Sequence, residues 1–228
     1  MKAAAVIVAG GKGIRMGMSM PKQLLPIGGK PIILRTLEPF DRCPEIVEIV
    51  MVISPSIITD FATLIDESDF DTPIKTVRGG SERQQSVMNG LEATSEGIDV
   101  VAIHDAVRPF ITTTLISECL HTAYETGAVT VMRRCKETVK AVEDGCIVDT
   151  IDRSRLWIAQ TPQAFKKDLI IESHRKAAGD GFIATDDCMV AEYCGHTIRV
   201  IEGNDSNIKI TTPTDLLIAE EILRQWKP

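Results

Sequence analysis

Short apolar runs alternate along the chain with longer segments in which apolar residues recur every three or four positions. The apolar runs predict buried strands over 3–9, 46–53 and 100–103, with weaker strand patterns at 74–77 and 197–202. The periodic segments predict helices over 31–37, 57–65, 81–93, 113–126 and 168–177, then a short helix after 185 and a last helix from 212. Strands that alternate with helices predict a doubly wound α/β fold, a mostly parallel twisted sheet with helices on both faces.

Single residues predict several element boundaries. Ser81 with Gln84 has the spacing of a capping box, and Gly127 is placed to end the helix before it. The run Thr-Pro-Thr-Asp at 212–215 combines an N-cap, a proline in the first turn and an acidic residue at the positive helix end. The Thr-Pro-Gln run at 161–163 predicts a turn.

The alternation is interrupted between about 132 and 157. Two β-like runs, 138–142 and 147–151, flank an Asp-Gly pair, which is a good hairpin turn signal. A two-stranded hairpin is barely stable alone, so we expect this arm to pack on another surface, and a second copy of the chain is a reasonable partner. The whole chain, 1–228, is therefore interpreted as one domain with a dimerisation arm at about 132–157, and a homodimer is expected.

Composition limits the possible partners. The chain has 228 residues, of which 44% are hydrophobic, enough to bury the core of one α/β domain. Its formal net charge of −7 disfavours binding to nucleic acid or to an anionic membrane, and no apolar run approaches the length of a membrane span. Six cysteines occur without a CxxC pair, which favours free thiols in a reducing cytoplasm over disulfides or a zinc site.

A glycine-rich loop with three cations follows the first predicted strand. Its glycines free the backbone to turn sharply and to point N–H groups at an anion. Cations at this density need a strongly negative ligand among them, so a nucleoside triphosphate with its metal is the expected occupant. The residues concerned are Gly10, Gly11, Lys12, Gly13, Arg15 and Lys22.

This loop matches neither of two common phosphate-binding motifs. A Walker loop has Ser or Thr after its Gly-Lys pair, whereas Gly13 follows Gly11-Lys12 here. The dinucleotide fingerprint GxGxxG is missed as well, because Gly17 comes one residue late. The mismatches argue against a P-loop NTPase and against a dinucleotide-binding domain.

Asp105 is a candidate magnesium ligand. It comes just after the strand predicted over 100–103, at the carboxyl edge of the sheet, where open α/β sheets bind their ligands. The alternative is an aspartate that caps a turn. The neighbouring His104 is interpreted as a structural hydrogen-bonding residue rather than a catalytic one, because no serine or thiol nucleophile accompanies it in a recognisable elbow.

Seven segments carry a resemblance to a known family. In chain order they read AGGKGIRMG with PKQLLPIGGKP, GGSERQQSVMNGL, HDAVRPF, ETVK, DRSRLWIAQTPQAF, ATDD and NIKITTPTDL. Together they resemble the 2-C-methyl-D-erythritol 4-phosphate cytidylyltransferases of the non-mevalonate isoprenoid pathway, over nearly the whole chain. The resemblance implies a Rossmann-like nucleotidyltransferase domain that uses Mg²⁺ and transfers CMP from CTP to methylerythritol phosphate, with release of pyrophosphate.

The resemblance also implies roles for individual residues. The catalytic residues would be Arg15, Lys22, Arg153 and Lys209. The nucleotide would be held by Ala9, Gly10, Gly11, Gly13, Lys22, Gly80, Ser86, Asp105 and Ala106, and Asp105 would also ligate the metal. The second substrate would be held by Arg108, Thr138, Arg153, Thr161, Thr185 and Lys209. From the residues alone, Arg108 has an alternative role as an anchor for the turn at Pro109.

Two other functions stay open on the sequence. Ribitol-5-phosphate cytidylyltransferases share the glycine loop and the HDAVRPF, QTPQ and NIK segments, whereas Arg153 and Thr185 fit the methylerythritol branch better. A non-catalytic nucleotide-binding protein on the same fold is the third possibility. The joint presence of Lys22, Asp105 and Lys209 with Arg15 argues against it.

The arm departs from the family pattern at two positions. Arg134 and Glu137 stand where the family usually has proline and aspartate. The local geometry of the arm and the role of Thr138 therefore need a structural test.

Overall fold

The computed structural model describes residues 1–10, 21–55 and 58–226. The strands are β1 Ala3–Ala9, β2 Pro26–Ile27, β3 Lys30–Pro31, β4 Ile46–Ile53, β5 Ile74–Arg78, β6 Val100–Asp105, β7 Ala128–Arg134, β8 Lys140–Glu143, β9 Cys146–Thr150, β10 Trp157–Lys166 and β11 Arg199–Glu202. The helices are α1 Ile32–Asp41, α2 Ile58–Asp66, α3 Arg83–Glu92, α4 Thr113–Thr126, α5 Lys167–Gly179, α6 Asp187–Tyr193 and α7 Pro213–Gln225. Short 3₁₀ turns lie at Lys22–Leu24 and Arg153–Arg155.

A seven-stranded sheet in the order β11-β7-β10-β6-β1-β4-β5 forms the centre of the fold. The pairs β1–β4, β1–β6, β4–β5 and β11–β7 are parallel, and β10 runs antiparallel to both of its neighbours. The predicted mostly parallel sheet is therefore confirmed. Parallel β1 and β6 end at the same edge, and Val8 pairs with Asp105, which brings the end of β1 close to Asp105.

The core lies on both faces of this sheet. Successive residues of β1 point to opposite faces, so Ala3, Ala5 and Ile7 pack in one cluster with α1, α2 and α4. Ala4 and Val6 pack in a second cluster with α3, α5 and α6. Strand β1 is apolar along its length because both of its faces are buried.

A third apolar cluster joins the last helix to the edge of the sheet that carries Asp105. It contains Val107 and Phe110 from the segment after β6, Ile210 from the segment before α7, and Ala219 of α7. The backbone N–H of Ile210 donates to the carbonyl of Val107 at 3.0 Å. This packing fixes Lys209, the residue before Ile210, beside the end of β6.

Strand β10 replaces the turn predicted at 161–163. A single strand runs through these residues and pairs with β6 and β7, with a register irregularity between Ala159 and Gln163 and a cis Thr161–Pro162 bond. The turn prediction was wrong because the pairing with two neighbouring strands overrides the local signal of the proline. The sequence pattern also did not predict β7.

Helix ends are predicted with mixed success. Helix α4 spans the predicted residues and ends at Gly127, whose φ is 97°, and α7 begins with the predicted N-cap at Thr212, whose side chain forms a capping box with Asp215. The Ser81–Gln84 capping box was wrong, because α3 begins at Arg83 without a side-chain cap. Gln84 is instead engaged by Phe182 and Ala184, far along the chain.

The predicted hairpin is present as β8 and β9, which pair antiparallel around Asp144 (φ 48°) and Gly145 (φ 78°). Positive φ at both positions is the geometry of a type I′ hairpin turn. Three large apolar residues of the hairpin are exposed to solvent in the single chain, with exposed fractions of 58% for Val142, 64% for Ile147 and 53% for Val148.

Candidate active site

Three charged side chains meet at the carboxyl end of β6. The Nζ of Lys209 lies 2.9 Å from Oδ2 of Asp105, and Nε of Arg108 donates to the same oxygen at 3.3 Å. We call Asp105, Arg108 and Lys209 the Asp105 cluster. Burial alone would raise the pKa of Asp105, but Lys209 and Arg108 outweigh it and hold that pKa well below its ordinary value. The carboxylate is therefore ionised at neutral pH and sits under a surplus of positive charge.

A hydrogen-bonded chain behind the cluster fixes its backbone. The N–H of Asp105 donates to Oγ1 of Thr161 at 3.1 Å, and that hydroxyl is 2.9 Å from Nδ1 of His104. The other ring nitrogen, Nε2, is 3.1 Å from the carbonyl of Arg108, which is an acceptor, so Nε2 carries the proton and Thr161 donates to Nδ1. Burial lowers the pKa of His104 to about 4. The neutral ring is thus a structural link, as the sequence indicated.

A first cavity of about 680 Å³ opens in front of β1, β5 and the start of α3. Gly10 and Gly79 lie next to each other in its wall, since a Cβ at Gly79 would be 3.8 Å from Cα of Gly10, and the N–H of Gly80 donates to Oγ of Ser86 at 3.0 Å. A Cβ at Gly79 would lie 3.2 Å from Ser86 Oγ, so a larger residue there would crowd the wall. The first cavity is lined by Val8, Gly10, Lys22, Gln23, Ser54, Pro55, Gly79, Gly80, Ser81, Glu82, Arg83, Ser86, Asp105, Val107 and Lys209.

Lys22 is a second predicted cation in the first cavity, after Lys209. It lies in the 3₁₀ turn, is only 8% exposed, and its Nζ donates to the carbonyl of Ile210 at 3.4 Å. The adjacent Gln23 donates from Nε2 to the carbonyl of Ala9 at 2.7 Å, which ties this turn to the end of β1. The two lysines 22 and 209 therefore share one cavity with Asp105.

Four predicted residues of the glycine-rich loop, namely Gly11, Lys12, Gly13 and Arg15, lie outside the described residues. The loop is described only on either side, at Ala9 and Gly10 before it and from Pro21 after it.

A second cavity of about 470 Å³ lies on the other side of the Asp105 cluster. Arg108, Arg133, Lys136 and Lys209 line it, against two carboxylates, Glu137 and Asp205. Arg133 lies 3.8 Å from Asp205, which is also paired with Lys136. Lys209 belongs to both cavities, so the cluster stands between two spaces that are lined by cations.

Arg108 joins the Asp105 cluster to the segment before Lys209 and also lines the second cavity. Its Nη1 donates to the carbonyl of Asn207 at 2.8 Å, which anchors the segment before Lys209, while its side chain lines the second cavity. Burial lowers the pKa of Arg108, although Asp105 opposes the shift. A buried guanidinium in this position favours an anionic ligand, since a further negative charge would offset the desolvation cost of the buried positive charge.

The remaining predicted residues divide into those at the cluster and those away from it. Ala106 is buried next to Asp105, with its N–H on the carbonyl of Val8. Thr185 lines a third cavity, of about 280 Å³, which shares Ala159 with the second. Thr138 and Arg153 are exposed at the base of the hairpin and line neither of the two larger cavities.

Sequence reasoning missed several residues that build the site. Arg83 lines the first cavity and is paired with Asp187, while Gln160 and Asn207 line the second. Asn207 also donates from Nδ2 to the carbonyl of Thr161 at 2.9 Å. Arg83 had a local signal, because it is a cation at a helix start that closely follows Gly79 and Gly80. Gln160 and Asn207 lie within segments that carry the family resemblance, but neither was singled out there.

Asp105 is the carboxylate of the Asp105 cluster that a metal ion could bind, and Glu82 is a second carboxylate in the lining of the first cavity. No group of three or more His, Cys, Asp or Glu side chains suited to a metal occurs within residues 1–10, 21–55 and 58–226. Mg²⁺ is usually held by one or two carboxylates together with substrate phosphates, so the single carboxylate of Asp105 fits Mg²⁺ bound with a nucleotide. Among the described helices, none combines the length and apolar character needed to cross a bilayer.

The sheet topology and the cation-lined cavities at its carboxyl edge fit a nucleotide-binding α/β domain of the nucleotidyltransferase class. Comparison with known proteins gives the family. The family model for 2-C-methyl-D-erythritol 4-phosphate cytidylyltransferase matches residues 3–225, and the chain belongs to this family.

Individual relatives agree with the family match. The 2-C-methyl-D-erythritol 4-phosphate cytidylyltransferase of Caldanaerobacter subterraneus is 43% identical over 228 residues, which cover 99% of this chain and 100% of the relative. That of Geobacter metallireducens is also 43% identical, covering 98% of each chain. The crystal structure of 4-diphosphocytidyl-2C-methyl-D-erythritol synthase from Anaerococcus prevotii aligns with a TM-score of 0.87 at 31% identity, over 98% of this chain and 96% of that one. The enzyme from Thermus thermophilus aligns with a TM-score of 0.79 at 28% identity, over 96% and 98%.

Proposed function

We propose that this protein transfers the CMP group of CTP to 2-C-methyl-D-erythritol 4-phosphate, giving CDP-methylerythritol and pyrophosphate. The observation that carries the proposal is the Asp105 cluster, which stands between two cavities and shares Lys209 with both. A transfer between two phosphate-bearing substrates needs two anion sites with cations where they meet. The family membership of the chain supports the choice of substrates.

In the proposed reaction, the nucleotide occupies the first cavity and methylerythritol phosphate the second. An oxygen of the methylerythritol phosphate forms a bond to the α-phosphorus of CTP, and the bond from that phosphorus to the bridging oxygen of the β-phosphate breaks. The attacking phosphate oxygen already carries charge, so no general base is required. Catalysis then consists of alignment and charge stabilisation, for which Lys22, Arg83 and Lys209 are the cations that line the first cavity among the described residues.

We infer that Mg²⁺ takes part, held by Asp105 and the triphosphate. The ion would reduce the negative charge of the triphosphate. The described residues have separate tasks: Gly80 and Ser86 shape the wall that receives the nucleoside, Arg108 faces the second substrate, and Thr161 holds Asp105 in place.

The test is pyrophosphate release by the purified protein with Mg²⁺, CTP and one of two acceptors. Release with methylerythritol 4-phosphate and none with ribitol 5-phosphate is expected. Release with ribitol 5-phosphate alone would replace the proposal by the ribitol alternative. Binding of CTP without release with either acceptor would indicate a nucleotide-binding protein without this activity.

We also infer that the protein is a homodimer joined through the hairpin, and that Thr138 and Arg153 complete the site of the partner. Exposed Val142, Ile147 and Val148 support the inference, because a two-stranded hairpin with apolar side chains gains stability by packing on another surface. Arg153 donates to the carbonyl of Lys136, a residue that lines the second cavity, so it is held close to that cavity without lining it.

Subunit complementation tests this arrangement. Lys22→Met and Arg153→Met are each expected to be inactive alone. If Arg153 acts in the partner's site, a mixed dimer has one site with both substitutions and one with neither, so an equal mixture recovers about a quarter of the wild-type turnover. A mixture that stays inactive, or a monomer in sedimentation, would refute the shared site. The proposed activity also implies a location where CTP is made, the cytoplasm.

A further inference from the structure

A buried ion network lies beside the first cavity. Arg83, the first residue of α3, lines that cavity, and its Nη2 donates to Oδ2 of Asp187 at 2.7 Å. Asp187, the first residue of α6, is fully buried, and its Oδ1 lies 3.2 Å from Nε2 of His174, which is 2% exposed in α5. The carboxylate of Asp187 therefore has a guanidinium on one oxygen and an imidazole on the other.

A second contact joins the same two parts of the fold. Gln84, the residue after Arg83, donates from Nε2 to the carbonyl of Phe182 at 3.3 Å, and its Oε1 accepts from the N–H of Ala184 at 3.1 Å. Two consecutive side chains thus attach the first turn of α3 to the segment that leads into α6. We call these contacts the α3–α6 clamp.

The other side of the clamp is attached to β10. Oε1 of Gln163 accepts from the N–H groups of Asp187 at 3.0 Å and of Cys188 at 3.3 Å. Its Nε2 donates to Oδ2 of Asp186 at 2.8 Å. Gln163 and Thr161 both belong to β10, and Thr161 accepts the hydrogen bond from the N–H of Asp105. The start of α6 therefore has a fixed position relative to Asp105.

Stability alone does not account for this network. A buried ion pair contributes little net stability, because desolvation of both charges offsets their attraction. Arg83 does have one open side: its side chain is 30% exposed, and the contact with Asp187 occupies one nitrogen of a guanidinium that has five N–H donors. The charge of Arg83 also acts on Asp105. Burial would raise the pKa of Asp105, but Lys209, Arg108 and Arg83 together lower it.

We propose that Asp187, supported by His174, is a positioning residue for the nucleotide: it holds the Arg83 guanidinium and the first turn of α3 where the nucleotide binds. The inference rests on the proposed function only for the identity of that nucleotide, CTP. The segment 79–82, which lines the cavity, continues directly into this turn, so a displaced Arg83 would also displace the cavity wall.

CTP binding, measured by isothermal titration calorimetry in the presence of Mg²⁺, is the primary test. Asp187→Asn keeps the shape of the side chain and removes its charge, and we expect the Kd for CTP to rise about tenfold, as for loss of a charged hydrogen bond. In turnover assays the KM for CTP should rise in parallel, with a smaller change in kcat. Glu48→Gln is the matched control, since Glu48 is 4% exposed and paired with Lys75 at the opposite edge of the sheet, and its CTP affinity should stay at the wild-type value.

A double-mutant cycle separates positioning from simple destabilisation. If Asp187 acts through Arg83, Arg83→Gln and the double variant Arg83→Gln/Asp187→Asn bind CTP equally weakly. Additive losses, or wild-type affinity in folded Asp187→Asn, would overturn the proposal. If Asp187→Asn does not fold, His174→Gln replaces it: we expect about threefold weaker CTP binding from it, and unchanged binding refutes the inference. Binding is measured apart from turnover, so a protein that binds CTP but releases no pyrophosphate would disprove the proposed function and still test the clamp.

Discussion

A carboxylate is buried at each end of the parallel strands, Glu48 at the amino edge of the sheet and Asp105 at its carboxyl edge, and the two differ in their surroundings. Glu48 lies near the amino end of β4, and its oxygens are filled by Lys75 at 2.6 Å and by the N–H and hydroxyl of Ser95 at 2.6 and 2.7 Å. Asp105 lies at the carboxyl end of β6, with Lys209 and Arg108 on one oxygen. Burial would raise both pKa values, and in both cases the neighbouring cations and donors lower them instead.

What distinguishes a site from a structural ion pair is therefore the space and the surplus of charge, not the shifted pKa. Around Glu48, one lysine and one serine satisfy the carboxylate completely. Around Asp105, the cations also line two cavities of about 680 and 470 Å³. A perturbed pKa indicates function only when the groups that cause it have room for a ligand.

The largest contrast is expected from removal of a lysine at each edge. Lys22→Met should lower kcat by about 10²–10³-fold and weaken CTP binding much less, because its charge is needed most where negative charge develops in the transition state. Lys75→Met, at the amino edge, should leave kcat unchanged. Steady-state kinetics with CTP varied gives both values, and a pure KM effect in Lys22→Met would contradict the catalytic role.

Neutralising each carboxylate is the next test. Asp105→Asn should lower kcat/KM by about 10–100-fold and raise the Mg²⁺ concentration needed for half-maximal rate, because Arg108 and Lys209 lose their shared counter-charge. Glu48→Gln should lower the melting temperature and leave the kinetics intact. Equal kinetic losses in the two variants would contradict the conclusion that Asp105 is functional and Glu48 only structural.

The fold was predictable where local and tertiary preferences agree. Helix α4 and its Gly127 end, the Thr212 N-cap of α7 and the Asp-Gly turn follow from neighbouring residues, and each occurs as predicted. Strand β10 was missed because Thr161–Pro162 has a turn pattern, while the pairing that makes it a strand comes from β6 and β7.

The site was predictable from motifs and not from the contacts that assemble it. Lys22 and Asp105 were identified from their places in the sequence pattern as well as by resemblance, and Lys209 by resemblance alone; the structure brings all three to one cavity. The pairing of Arg83 with Asp187 spans 104 positions, and nothing in either local sequence specifies it. Thr138 and Arg153 were predicted for the same site but lie outside the cavities of their own chain, which is why their role remains part of a proposal about the dimer.

The carboxyl edge should also carry a pH dependence of stability. The pKa of buried His104 is lowered from 6.5 to about 4 by desolvation, so between these values the unfolded chain binds a proton that the folded chain does not. Stability therefore falls as the pH decreases from about 6.5 towards 4, by about 2 kcal/mol at pH 5 for this residue.

Urea unfolding at pH 7 and pH 5 measures this effect. In His104→Gln, which keeps a donor for the carbonyl of Arg108, the loss between the two pH values should shrink by that amount. His196→Gln is the control, because His196 is an exposed histidine away from this network, and the variant should lose as much stability between the two pH values as the wild type. An unchanged slope in His104→Gln would show that the ring titrates normally in the folded protein.

The smallest contrast concerns one buried hydroxyl at each edge. Thr161→Val removes the link between Asp105 and His104 and should cost about 1–2 kcal/mol, while Thr161→Ser restores it. Thr94→Val removes a hydroxyl that donates to the carbonyl of Leu91 at 2.6 Å, with a comparable cost. Only Thr161→Val should also lower kcat/KM, by a few-fold, because the backbone N–H of Asp105 loses its acceptor and the carboxylate loses its fixed position. Urea unfolding and kinetics on the three variants decide this, and a kinetic loss in Thr94→Val would mean that lost stability alone reduces activity.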